Sequence, residues 1–206
     1  MATAKAMGLW RRSGVPQRQA QKVMQIEDES ISKDWTLLYE RWKEKLKLSG
    51  RLLIFTGDRG CGKTQMGVSL VGATCSREKA CKYHTANELF RRLRSPFDDD
   101  SDDKYHRLMD ELGGRTRDET VELLVIDEIH ECKGSDWETH TLRDIIDARY
   151  TRELSTILIS NESPEEVVAS LGESITDRCR ETGAIIPFRW GSFRKQLREA
   201  NENDNV

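Results

Sequence analysis

Chemistry in this chain concentrates first in Gly57-Asp58-Arg59-Gly60-Cys61-Gly62-Lys63-Thr64, which fits the pattern G-x-x-x-x-G-K-[S/T]. A loop that wraps a phosphate must turn successive backbone N–H groups inward. That demands glycine wherever φ is positive or a side chain would block the approach. A helix starting near Lys63 adds its own N-terminal N–H groups and the positive end of its dipole, with Gln65 in its first turn. Lys63 then reaches the β- and γ-phosphates, and the Thr64 hydroxyl ligates Mg²⁺. The plain alternative is a glycine-rich turn that opens a helix.

A second group lies downstream. Leu123-Leu124-Val125-Ile126 is an apolar run that ends in Asp127 and Glu128. Past the C-terminal end of a parallel strand, Asp127 would hold the Mg²⁺ shell and Glu128 would act as general base on water. An acidic pair after a strand is common by itself, and the phosphate loop upstream gives this one its meaning. Asn161 follows the run Thr156–Ser160 and is placed to orient the water, although Ser-Asn-Glu-Ser-Pro reads equally as a turn and helix cap. Arg178 and Arg180 could neutralise transition-state charge on a neighbour's γ-phosphate. They read equally as a solvated helix face paired with Asp177 and Glu181.

A third group, Phe90, Arg91, Arg92 and Arg94, could hold single-stranded nucleic acid through stacking and phosphate contacts. The nearby run Asp98 to Asp103 (DDDSDD) reads as an acidic, solvated loop that would repel the strand or pair with those arginines. The four histidines show no metal spacing and are read as structural or surface residues. The five tryptophans are read as packing residues. An odd count of five cysteines with no C-x-x-C disfavours both a disulfide framework and a zinc knuckle, and free thiols point to the cytoplasm.

The elements that must position these groups follow from hydrophobic period and breakers. Strands are expected at 52–56, 82–85, 121–126, 156–160 and 184–188, the last at an edge or bulge because of Pro187. Helices are expected from Trp35 to Leu48, Lys63 to Cys75, Ala86 to Leu93, Tyr105 to Leu112, Glu138 to Glu153 and from Pro164 to Leu171. This alternation predicts an α/β fold: an open, mainly parallel five-stranded sheet with helices on both faces. Residues 1–34 read as a polar arm, 35–198 as one domain and 199–206 as a frayed tail.

Composition sets the outer limits. A length of 206 residues with 36% hydrophobic and 33% charged side chains supports one core and excludes a disordered polyelectrolyte. The net charge of -3 excludes a globally basic nucleic-acid coat. No apolar run approaches the roughly 18 residues of a membrane span, and no signal-peptide core precedes the domain.

Taken with their order and intervals, these motifs resemble the DnaC/DnaI-type helicase loaders, which are AAA+ P-loop NTPases, with the IstB transposition ATPases as close relatives. Gly14-Val15-Pro16-x-Arg18 is similar to that family's segment near the adenine, which places Val15 at the base. Leu171-Gly172-Glu173 through Asp177-Arg178, followed by Phe188-x-Trp190-x-Ser192-Phe193-Arg194, is similar to the loaders' own ending. The resemblance implies an AAA+ core without a C-terminal lid domain that binds ATP and Mg²⁺. It makes Asn161 sensor 1, Arg178 an arginine finger acting on the next protomer, and Arg194 a sensor-2-like residue. It also implies self-association into an open ring or spiral, a DnaB-like hexameric helicase as partner, and single-stranded DNA contact through residues 86–113. Three alternatives stay open: an IstB-type ATPase acting on a transposase, a small-molecule P-loop kinase, and a nucleotide-switched binding protein with little turnover.

Overall fold

In the computed structural model, residues 3–23, 33–94, 101–114, 120–132 and 136–193 are described. Five strands form one parallel sheet: β1 (Leu52–Thr56), β2 (Ala80–Thr85), β3 (Val121–Asp127), β4 (Ser155–Ile159) and β5 (Ala184–Pro187). Their order is β2-β3-β4-β1-β5. All four pairings are parallel, with Phe55 opposite Ile159 and Ile186 and with Ile126 opposite Leu158. Pro187 therefore sits on an edge strand, where its missing N–H costs no ladder bond.

The central strands are continuous apolar runs because both of their faces are covered. Leu53, Phe55, Leu123, Val125, Ile157 and Ile159 face one core. Leu52, Ile54, Leu124, Ile126 and Leu158 face the other. The first core is roofed by α1 (Ala4–Arg12), α3 (Lys33–Lys45) and α4 (Lys63–Cys75). The second is roofed by α5 (Ala86–Leu93), α6 (Ser101–Leu112), α7 (Asp136–Thr151), α8 (Pro164–Leu171) and α9 (Glu173–Thr182). The helix α2 (Gln17–Val23) packs on α4.

Two expected segments look different in the structure. The stretch read as an arm contains α1, whose Leu9 is 3% exposed and belongs to the first core. Thr3 caps α1 by accepting from the Ala6 N–H at 3.1 Å. In the acidic run, Ser101 to Asp103 form the first turn of α6 instead of a loop. Residues 98–100 and the tail 199–206 lie outside the described residues.

Arg149 of α7 is fully buried and locks the end of the sheet away from the loop. Its guanidinium donates to the carbonyls of Leu112, Val121 and Ser155 at 2.6, 3.0 and 2.7 Å, and to Thr156 Oγ1 at 2.9 Å. Burial lowers its pKa to about 9, which leaves it charged at neutral pH. Among the described residues, no helix is long and apolar enough to cross a membrane. Cys61, Cys75, Cys81 and Cys179 are buried free thiols.

Candidate functional site

The loop between β1 and α4 lies at the C-terminal edge of the sheet, where ligands bind in open α/β folds. Gly57 has φ 120°, and a Cβ there would stand 2.6 Å from the Phe188 carbonyl oxygen. Gly62 has φ 88°, and a Cβ there would press on the Trp35 indole at 3.0 Å. Both positions therefore require glycine. The N-terminus of α4 has no side-chain cap and no acidic residue in its first turn. An anion is what such a helix start accepts.

The loop's carbonyls are held by donors from outside it and from within it. Trp35 Nε1 donates to Gly62 O at 3.1 Å, and Trp190 Nε1 donates to Cys61 O at 2.7 Å. The Phe193 N–H donates to Gly60 O at 3.1 Å. Lys63, 4% exposed, donates through Nζ to Gly57 O at 2.6 Å and Asp58 O at 2.7 Å. The Cys61 thiol donates to Asp58 O at 2.9 Å, so this residue shapes the loop from inside. Asp58 and Arg59 are exposed at its tip. The two tryptophans, read from sequence as packing residues, do pack, and they also orient the loop. No local pattern links either of them to residue 61 or 62.

Asp127 ends β3 at 3% exposure, and its Oδ2 accepts from Thr64 Oγ1 at 2.7 Å. These two oxygens fit a Mg²⁺ site completed by phosphate oxygens and water. Among the described residues there is no group of three or more His, Cys, Asp or Glu side chains that could hold a metal ion. Tyr83 of β2, missed in the sequence, donates its hydroxyl to the same Asp127 Oδ2 at 2.7 Å. Burial, followed by the Asp127 charge, raises the Tyr83 pKa, so the phenol stays a donor. The Tyr83 N–H donates to Ser13 O at 2.7 Å, which brings the Gly14–Arg18 segment to this edge. Val15 there is partly buried against the first core, and Gln65 Nε2 donates to Gln19 O at 3.4 Å.

Glu128 has φ 60°, a rare left-handed conformation for a non-glycine residue and one found at functional sites. It is held by its N–H donating to Asp127 Oδ1 at 2.8 Å and its carbonyl accepting from the Glu131 N–H at 3.0 Å. Burial first, then Glu131 and Asp127, raise its pKa. Asn161 follows β4, next to the loop, since the Gly57 N–H donates to Glu162 O at 3.1 Å. Asn161 also meets His130, which sits in the 3-10 turn Ile129–Cys132. Its N–H reaches His130 Nδ1 at 3.3 Å, and its side-chain amide lies 3.1 Å from Nε2. Reading the histidines one by one for metal spacing missed this contact. The structure thus brings Lys63, Thr64, Asp127, Glu128 and Asn161 to one edge.

Other expected site residues lie elsewhere. Arg178 on α9 forms an ion pair with Asp147 of the same chain, accepted within α7. Its Nη1 also donates to Ser174 Oγ at 2.9 Å, and its guanidinium stands 5.3 Å over the Tyr150 ring. Arg180 pairs with Asp177 at 2.9 Å, as its plain reading expected. Arg194 lies outside the described residues. Phe90 needs a correction as a stacking residue. It is 2% exposed, because Ala86, Leu89, Phe90 and Leu93 form the inward face of α5. Trp137 packs edge-on to it at 6.0 Å and is the exposed ring at that spot. Arg91 and Arg94 line an open cavity of about 850 Å³ with Thr85, Asn87 and Glu138, and Arg92 is exposed. Arg94 pairs with Glu138 at 3.0 Å.

A family model described as IstB-like ATP binding protein matches residues 49–201. The replicative helicase loader DnaC of Escherichia coli (strain K12) is 28% identical over 145 residues, which cover 70% of this chain and 56% of DnaC. The chain thus spans little more than half the length of that relative. A crystal structure of a DNA replication initiation factor superposes with TM-score 0.67 at 18% identity, over 87% of this chain and 54% of the other. The crystal structure of the DnaC helicase loader gives TM-score 0.60 at 22% identity, over 73% and 86%. These likenesses establish the fold, and the expected AAA+ P-loop NTPase architecture is the one observed.

Proposed function

Because the chain belongs to the IstB-like ATP-binding family, we propose that it is an ATPase of DNA replication that binds the hexameric replicative helicase and loads or remodels it on single-stranded DNA. The meeting of the Gly57–Thr64 loop with Asp127, Glu128 and Asn161 at one sheet edge carries this reading. The likeness to DnaC supports the choice of client.

The phosphates of ATP lie in the loop and the adenine lies toward Val15. Lys63 exchanges the Gly57 and Asp58 carbonyls for β- and γ-phosphate oxygens. Thr64 and Asp127 would hold Mg²⁺, which would supply charge neutralisation at the phosphates. Glu128 takes the proton of the attacking water, and a pKa raised by burial makes it a stronger base once ionised. Asn161 orients that water. Arg178 of a neighbouring copy stabilises the transition state, with Arg194 as the sensor-2-like residue. Hydrolysis then depends on assembly, and copies related head to tail form an open ring or spiral. Arg91, Arg92 and Arg94 contact single-stranded DNA through its phosphates.

Co-purification with the replicative helicase, with ATP and without, tests the client. Nucleotide-dependent retention is expected, and no retention in either state defeats the helicase assignment. The match to the IstB-like family keeps open the second reading expected from the sequence, in which the client is a transposase, so the same pull-down includes one. Turnover stimulated by single-stranded DNA is expected. Stimulation by a small phosphate acceptor would instead make the protein a kinase.

A further inference from the structure

The contact between His130 and Asn161 fixes more than a distance. The Asn161 backbone N–H points at His130 Nδ1 at 3.3 Å, so that nitrogen must carry a lone pair. A neutral imidazole then carries its proton on Nε2. Nε2 lies 3.1 Å from the terminal atom of the Asn161 side chain. An Nε2–H cannot face an amide NH₂, because both are donors. The amide oxygen must face the ring, and its NH₂ must take the position turned away. Amide oxygen and nitrogen exchange by a half-turn at no steric cost, so the hydrogen-bond pattern decides between them.

We infer that His130 is a positioning residue that sets the amide of Asn161 oxygen-inward, so that Asn161 presents a donor to the hydrolytic water. This rests on the proposed role of Asn161. A water that accepts from the Asn161 NH₂ keeps its second lone pair for the γ-phosphorus and donates a proton to Glu128. The new P–O bond forms as the bond to the bridging β–γ oxygen breaks, and Glu128 holds the proton. The opposite amide orientation would offer the water a carbonyl that competes with Glu128 for its protons.

The turn carrying His130 is built to hold still. Ile129 is buried in the second core at 6% exposure, and Glu131 accepts a hydrogen bond from Asn87 of α5. Burial also lowers the His130 pKa, which favours the neutral ring.

The test uses the full chain. ¹⁵N spectra of the histidines should show His130 neutral with Nδ1 bare and Nε2 protonated. A protonated Nδ1 overturns the inference. His130→Ala should lower ATP turnover about tenfold, the scale of one orienting hydrogen bond, with ATP affinity unchanged. His130→Gln keeps an N–H near the Nε2 position and should restore most of the rate, whereas His130→Phe should not. Unchanged ATP binding shows that each variant is folded. If Asn161→Ala abolishes turnover while His130→Ala keeps the parental rate, the inference fails alone. If both variants hydrolyse at the parental rate, the proposed role of Asn161 fails with it.

Discussion

The nucleotide edge and the Arg178 face of this molecule both hold charged side chains in hydrogen bonds within the chain, and they use them in opposite ways. At the edge, Lys63 is bonded to its own loop's carbonyls, and Thr64 is bonded to Asp127. In the proposed function each of those bonds already sets a donor or oxygen where the Mg-nucleotide would need it, so binding would exchange partners with little rearrangement. At the other face the guanidinium is taken up by Asp147, Ser174 and the Tyr150 ring, and Tyr150 is itself bonded to Glu181 at 2.6 Å. A single chain is thus organised to bind nucleotide and holds its proposed transition-state cation elsewhere. In the proposed assembly, the neighbouring copy must offer Arg178 a better anion than Asp147.

The largest test of that contrast is Arg178→Ala. It should lower assembly-stimulated turnover by about 10³-fold or more while ATP affinity stays within a few-fold. Steady-state hydrolysis at high protein concentration reads this, and retained turnover would erase the difference between the two regions. Lys63→Ala should weaken nucleotide binding by about 100-fold, since it removes charge-assisted bonds from a buried site. Titration with a fluorescent ATP analogue measures the loss, and unchanged affinity would break the edge side of the comparison.

A pH series probes the scaffold that both regions share. Burial lowers the pKa of His84 in β2 from 6.5 to about 4. The unfolded chain therefore takes up this proton before the folded one does. The stability from keeping the ring neutral is full above pH 6.5 and is lost as pH falls toward 4, up to about 3 kcal/mol. Denaturant titrations should show His84→Gln flattening that stretch relative to the parent. An unchanged slope would refute the assignment. The smallest effect belongs to Asp147→Asn. The Arg178 and Asp147 side chains are 26% and 40% exposed, so their pair is worth less than about 1 kcal/mol. Freeing Arg178 should lower the protein concentration for half-maximal turnover two- to fivefold.

Local patterns in the sequence reached most of the fold. The bounds of β1, α4, α5 and α8 match the expected ranges, because apolar runs, glycines and a proline mark their ends. The loop and the Asp127–Glu128 pair were legible for a related reason: phosphate binding needs fixed residue types at fixed spacing. Contacts between distant segments were not legible. Nothing near Tyr83 announces Asp127, and nothing near His130 announces Asn161. Phe90 was misread although its own spacing with Ala86, Leu89 and Leu93 pointed inward, since its basic neighbours suggested a surface instead. The burial of Leu9 was hidden because α1 offers so short an apolar face, with Ala6 and Leu9 its only buried residues.

The two indole bonds to the loop have an optical consequence. Trp35 and Trp190 are two of five tryptophans, and both rest their N–H on carbonyls of the phosphate cradle. Indole emission shifts with the strength of that hydrogen bond. Any ligand that tugs on residues 61 and 62 therefore changes the protein's own ultraviolet glow, and the unlabelled chain carries a gauge of its occupancy.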